Sequence, residues 1–140
     1  MQSNNTLPMP DKPRYIISQK AIIRTPDRVF VMKNRFDKYE FPGGTLEHDE
    51  DLISGLEREL QEELGHVPEG SPVLMSTYQF DQTLQLQYLI QLEQISEKFI
   101  LEDGYTGHWL TFLELAEAIP YPGVAERLTT WQPGDVVHID

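Results

Sequence analysis

The sequence contains no cysteine. Disulfide scaffolds, thiolate zinc sites and cysteine nucleophiles are thereby excluded. Nor does it hold an apolar run near the roughly 20 residues that cross a bilayer. The opening stretch, Met1 to Asp11, has neither the basic nor the apolar segment of a secretory signal. A cytoplasmic location with no membrane partner is therefore expected. Basic residues are scarce as well: 11 Lys and Arg against 23 Asp and Glu leave a net charge of −12. Eight of the eleven bases precede position 39, so residues 40–140 carry 3 bases and 20 acids. Such a field repels polynucleotides and argues against a general DNA or RNA binder. An acidic protein can still take a phosphorylated small molecule if a divalent cation covers the charge. For most of the acids, solubility is role enough.

What is present fits one domain. The chain has 140 residues, 39% of them hydrophobic and 24% charged, enough for a single core and too few for two. Residues 1–12, rich in Asn, Pro and Ser, read as a flexible N-terminal arm, and residues 13–140 as the folded domain. β-Branched and aromatic runs over 14–24 and 28–33 flank Thr25-Pro26-Asp27 and predict a hairpin. Tyr39-Glu40-Phe41 predicts a short strand halted by Pro42-Gly43-Gly44. A helix is expected from about Asp51, as N-cap, to Leu64, with Gly65 as its stop. Two strands follow, over 73–80 and 83–92; another is expected over 108–112 and a last helix within 124–131. A mixed sheet flanked by helices accommodates this order, an α/β (α+β) fold.

The mid-chain helix is the informative segment. Eight acids (Glu47, Asp49, Glu50, Asp51, Glu57, Glu59, Glu62, Glu63) face one base, Arg58. On a helical wheel Leu52, Ile53, Leu56, Leu60 and Leu64 form one apolar face, and Glu63 projects within about 20° of Leu56. A merely solvated acidic helix keeps its carboxylates opposite the leucines. Here Glu59 and Glu63, one turn apart, stand side by side at the border of the core. Two such anions raise each other's pKa unless a cation joins them. All-oxygen ligands favour Mg²⁺ or Mn²⁺.

The segment Gly44-x5-Glu50-x7-Arg58-Glu59-Leu60-x-Glu62-Glu63-x-Gly65 resembles the signature of the Nudix hydrolases, G-x5-E-x7-R-E-U-x-E-E-x-G-U with U aliphatic. Only the last position departs, where His66 replaces the aliphatic residue; at a helix end a cation suits the dipole. Gly55 stands where the family usually has Ala, and Asp49 where it often has Gly. The resemblance implies an α-β-α sandwich with a mixed sheet. It also implies a metal-dependent hydrolase that cleaves a phosphoanhydride bond in a nucleoside diphosphate linked to another group, or in a nucleoside triphosphate. By the same likeness Glu59 and Glu63 are metal ligands, Glu62 is a ligand or near neighbour, and the Gly43 carbonyl coordinates as well. Glu50 and Arg58 form a supporting pair that orients the carboxylates.

The resemblance also implies an acid in a loop before a Trp-containing strand, as base or further ligand. Asp103 lies at the expected spacing, with Glu102 beside it as the alternative. His108 reads as structural. Lys33 and Arg35 are expected to meet phosphates, and Tyr39, with Phe41 and Tyr78 behind it, to stack on a base. The partner implied is a nucleotide-type small molecule, and a homodimer is compatible with the chain. No proline set of the ADP-ribose type, NADH-type motif or Pro-Pro-Ala-Asn run narrows the substrate; Ile119-Pro120-Tyr121-Pro122-Gly123 lacks the Asn. Two rivals stand against this reading. A Nudix-like domain that senses a nucleotide without cleaving it is opposed by the intact Arg58-Glu59 and Glu62-Glu63 pairs. A calcium protein is opposed by the missing EF-hand spacing.

Overall fold

The computed structural model describes residues 12–95 and 98–139, so the expected arm, apart from Lys12, lies outside the described residues. Its centre is one eight-stranded mixed sheet. The long strand β1 (Ile16–Arg24) turns through Thr25-Pro26-Asp27 into β2 (Val29–Lys33). Two short strands follow, β3 (Tyr39–Glu40) and β4 (Gly43–Thr45). After helix α1 (Leu52–Leu64), the hairpin β5 (Val73–Phe80) and β6 (Thr83–Gln91) supplies the other half. Strand β7 (Thr106–Leu110), helices α2 (Phe112–Ala118) and α3 (Val124–Thr130), and β8 (Val137–Ile139) complete the chain. The main order is β3-β2-β1-β6-β5-β8, with β4 on β1 and β7 on β2. β1 and β6 run parallel in unbroken register from Ile16↔Thr83 to Arg24↔Gln91, which joins the two halves.

Alternation along the strands separates two cores. Ala21, Ile23, Phe30, Met32, Leu86, Tyr88 and Ile90 face α1, which packs Leu56, Leu60 and Leu64 against them. Those three leucines are 0%, 1% and 0% exposed, and each contributes about 1.5–3 kcal/mol by burial. Ile22, Val29, Val31, Met75 and Leu89 face the opposite way, onto Leu115 of α2 and Val124 and Leu128 of α3. The expected α-β-α sandwich is therefore present.

Three expectations need correction. Leu52 and Ile53 are each 43% exposed, so the buried stripe begins only at Gly55 and Leu56. The first turn is spent instead on capping, where Asp51 accepts from the Ser54 N–H at 2.8 Å. Pro42-Gly43-Gly44 does not end the sheet, because Gly43–Thr45 pairs with 18–20 of β1. Gly43 has φ +146°, and a Cβ there would stand 1.9 Å from the Gln19 carbonyl oxygen, so only glycine lets these backbones meet. The strand expected over 108–112 lies two residues earlier. Phe112 opens α2, because Thr111 accepts from the Glu114 N–H while the Glu114 carboxylate accepts from the Thr111 N–H, a capping box.

Candidate active site

Strand β4, the turn over 46–51 and helix α1 bring the motif carboxylates together around one guanidinium. Arg58 grips Glu50 through Nε at 2.6 Å and Nη2 at 3.0 Å. Its Nη1 donates to Glu59 at 2.9 Å and Glu62 at 3.0 Å, and Nη2 reaches the Thr45 carbonyl at 3.2 Å. Glu50 also accepts from the Glu47 N–H at 2.9 Å, which closes the turn before the helix. The Arg58 hydrogen bond, then that backbone bond, holds the Glu50 carboxyl below the usual carboxylate range, and Glu50 in turn raises Arg58. This is a fixed, charge-compensated clamp, built to orient neighbours rather than to titrate.

Glu63 stands apart from it. Its Oε1 accepts from the Gly43 N–H at 2.7 Å, across 20 residues of chain. Burial pushes its carboxyl up to about 7; the Gly43 bond and the Lys20 charge oppose the shift, and Glu59 and Glu40 reinforce it. Glu59 is pressed against the glycine turn so closely that a Cβ on Gly44 would meet its carboxylate at 2.4 Å. Gly55 is similarly crowded, by Leu46 at 2.6 Å and Glu50 at 2.9 Å. The glycine turn and the helix are thus shaped to each other at carboxylate contacts.

The donor chemistry suits a hard cation: all-oxygen ligands, and a half-buried Glu63 carboxyl left short of positive charge. Among the described residues no three acids already converge at ligand range. Arg58 draws Glu59 and Glu62 to one side, while Glu63 is held by Gly43. Glu57 points to solvent on the far side of the helix.

A cleft opens beside Glu63, lined also by Met32, Leu101, Glu102 and Tyr105. Of the two loop acids, Glu102 borders it, whereas Asp103 is an exposed turn residue outside the lining. The Glu40 charge first, then burial, then the Glu102 and Glu63 charges hold the Tyr105 hydroxyl above the ordinary tyrosine pKa, against Arg35. Arg35 lies over this turn, its guanidinium about 3.2 Å from where a Gly104 Cβ would stand. Lys33 is paired with Asp37 at 3.6 Å and sits over the Tyr39 ring at 5.2 Å. The Tyr39 ring also meets the His108 edge, and His108 Nε2 lies 2.7 Å from the Thr106 hydroxyl. Phe41 is core, and Tyr78 lies on the other face of the sheet, against Tyr121. His66 stacks near Phe99, with ring centroids 5.2 Å apart.

Sequence reasoning passed over Lys20, Glu40 and Tyr105. Lys20 donates to the Phe41 carbonyl at 3.2 Å and is the cation nearest Glu63's balance of charge. A lone lysine in the apolar run of β1 was the available signal. Glu40, directly before Phe41-Pro42-Gly43, was another; Tyr105 offered none.

The comparisons with known proteins agree with this geometry. The NUDIX domain matches residues 15–132. No curated protein matches the chain. Among solved structures, one from a study of MutT from Aliivibrio salmonicida and Vibrio cholerae is similar at 24% identity and a TM-score of 0.65, covering 82% of this chain and 96% of that one. An ADP-ribose pyrophosphatase from Streptococcus suis is similar at 12% identity and a TM-score of 0.68, covering 89% and 98%. A Nudix hydrolase from Nitrosomonas europaea gives 16% and 0.69, covering 91% and 80%. At these identities the structures speak to the fold, and the domain match speaks to the family. Glycine turn, clamp and helix carboxylates are the same residues that the match spans: the chain belongs to the Nudix family and is a Nudix hydrolase.

Proposed function

We propose that this protein hydrolyses a phosphoanhydride bond in a nucleoside diphosphate linked to another group, or in a nucleoside triphosphate, with Mg²⁺ or Mn²⁺ as cofactor. The observation that carries the reading is Glu63: a carboxylate held at the core border by Gly43, pushed up to about 7 by burial and flanked by Glu59. A structural role would not place an acid there, since burying it without a cation costs stability. Glu59, Glu62, Glu63 and the Gly43 carbonyl would hold the metal. A divalent ion held there would supply neutralisation of phosphate oxygens and a lowered pKa of water.

The chain's own residues supply orientation and proton transfer. Arg58 and Glu50 fix the carboxylate planes. Glu102, on the cleft rim, is supported over Asp103 as the group that takes the proton from the attacking water, because it lines the cleft that Glu63 lines. Arg35 and Lys33 are the cations proposed to meet the substrate phosphates, and Lys20 offsets the charge of Glu63. Purified protein incubated with Mg²⁺ and a panel of nucleotides, dinucleotides and nucleotide sugars tests the reading. Release of a nucleoside monophosphate, abolished by EDTA, is expected. Binding without release from any member would make the protein a nucleotide sensor instead.

A further inference from the structure

Strand register builds the cleft beside Glu63. Glu40, Met32 and Gly107 are partners across β3, β2 and β7, so they share one face of the sheet, the face that meets α1. Tyr105 stands two residues before Gly107 and returns to that face, its ring packed against the same core. Gly107 leaves room for Leu101: a Cβ there would meet the Leu101 side chain at 3.2 Å and the Phe30 ring at 2.9 Å. The result is a small chamber with apolar walls, Met32 and Leu101, and polar ones, Glu63, Glu102 and Tyr105. Its free space is about 30 Å³, room for one or two waters, each of which needs roughly 10–15 Å³.

Packing accounts for the ring of Tyr105 and not for its hydroxyl, since phenylalanine would fill the same core. Among the described residues that hydroxyl makes no hydrogen bond, although a phenol can donate one and accept another. The turn before β7 fixes its place. Tyr105 N–H donates to the Glu102 carbonyl at 3.1 Å, and Gly104 takes φ +93° between them. Glu102 and Tyr105 are thereby held three residues apart on one turn, both bordering the chamber. The Glu40 charge above all keeps the hydroxyl protonated.

We propose that Tyr105 is a further catalytic residue: its hydroxyl holds the attacking water in this chamber beside Glu102 and limits the nucleophile to that size. This rests on the hydrolysis proposed above. The phenolic O–H turns to the Glu40 carboxylate, and the phenolic oxygen accepts a hydrogen bond from the water; Glu102 accepts the other. Both water hydrogens are then fixed, and an oxygen lone pair is free to attack phosphorus. As the new P–O bond forms, the bridging P–O bond breaks and its electron pair leaves with the departing phosphate oxygen. The water proton passes to Glu102, and Tyr105 neither gains nor loses one.

The test is Tyr105→Phe, which keeps the ring. On whichever of GTP, ATP and ADP-ribose the wild type cleaves fastest with Mg²⁺, kcat should fall roughly tenfold, the worth of one hydrogen bond made in the transition state. KM, the Mn²⁺ affinity of the substrate-free protein and the melting temperature should stay unchanged. In aqueous methanol the wild type should hydrolyse almost exclusively. Tyr105→Phe should give a several-fold higher share of a methyl phosphoester product, because the freed corner is apolar and admits a methyl group. Glu57→Gln, on the solvent side of α1, should partition as wild type does. A raised KM with unchanged kcat would make the hydroxyl a phosphate contact, and weakened Mn²⁺ binding would make it a support of the metal site. Full kcat would make it idle, and a kcat loss with an unmoved methanol share would make the effect structural. Each of these overturns the proposal and leaves the hydrolysis standing. A wild type that binds these nucleotides and cleaves none overturns the hydrolysis, and this inference with it.

Discussion

The two faces of the sheet handle a partly buried guanidinium in opposite ways. Beneath α1, Arg58 is surrounded by Glu47, Glu50, Glu59 and Glu62, and Glu50 above all drives its pKa up. Beneath α3, Arg127 meets a carbonyl and an amide oxygen, and burial drives its pKa down. The first arrangement stores negative charge in fixed planes and suits work on a polyphosphate. The second holds a row of neutral amides, Gln87 and Gln85, in one orientation.

Glu63→Gln is the severest way to test the charged face. It keeps size and the Gly43 contact but removes the ligand charge, so turnover should fall by roughly 10³-fold or more while the fold survives. Glu57→Gln, on the solvent side of the same helix, should stay within about twofold of wild type. Equal losses in the two variants would erase the division of the helix into working and solvated sides. Next comes the cleft rim. Glu102→Gln should cut kcat by roughly 10²-fold, the lower range for a lost general base, with KM little changed, whereas Asp103→Asn should cost far less. Dominance of Asp103 would return the role to the residue at the expected spacing.

Gly44→Ala strikes the clamp without touching a charge. Its methyl would fall 2.4 Å from the Glu59 carboxylate and displace it. Supporting contacts of this kind are commonly worth 10- to 100-fold in metal affinity or activity. A loss in that range that higher Mn²⁺ partly rescues would mark Glu59 as a ligand; a loss with no metal dependence would not.

The charged face was largely legible in the sequence because its chemistry is local: Gly44 to Gly65 spans one loop and one helix, and a single wheel places Glu59 and Glu63. The amide face was not. Gln85, Gln87, Ser76 and Arg127 come from three separated elements, and glutamine alternating with leucine in β6 reads as an ordinary half-exposed strand. Their partnership exists only in the strand register. Helix α2 was missed for a different reason. Thr111-Phe112-Leu113-Glu114 carries the capping-box spacing, but Phe112 directly extends the aromatic and apolar run of β7 and was read with it. The three-residue β8 pairs with β5 over Val137 to Ile139 and has no periodicity to read.

Acid and base should separate the faces again. The Glu63 carboxyl is neutral in folded and unfolded chains below about pH 4.5, and the folded form holds its proton up to about 7. Between those values only the unfolded chain ionises, so this group makes the metal-free protein lose stability as pH rises, with the penalty complete above about 7. Melting curves of wild type and Glu63→Gln in EDTA should therefore converge near pH 4.5 and diverge towards pH 8, the variant melting several degrees higher. Saturating Mg²⁺ should reverse the order, because it stabilises only the protein that binds it. Parallel curves in EDTA would mean that Glu63 is not strained by burial.

The smallest effect belongs to the far side of the sandwich. Thr111 caps α2, and its hydroxyl accepts from Glu114 N–H at 3.1 Å while Glu114 also lies 3.8 Å from Arg28. Thr111→Ala removes one cap bond and should cost about 1 kcal/mol, or roughly 3–5 °C in Tm. Thr111→Ser keeps the hydroxyl and should recover most of it. Neither change should alter kcat/KM, since α2 enters the core through Leu115 and contributes nothing to the clamp. A drop in kcat/KM that follows the loss of Tm would show that the α2 layer positions the site through the sheet.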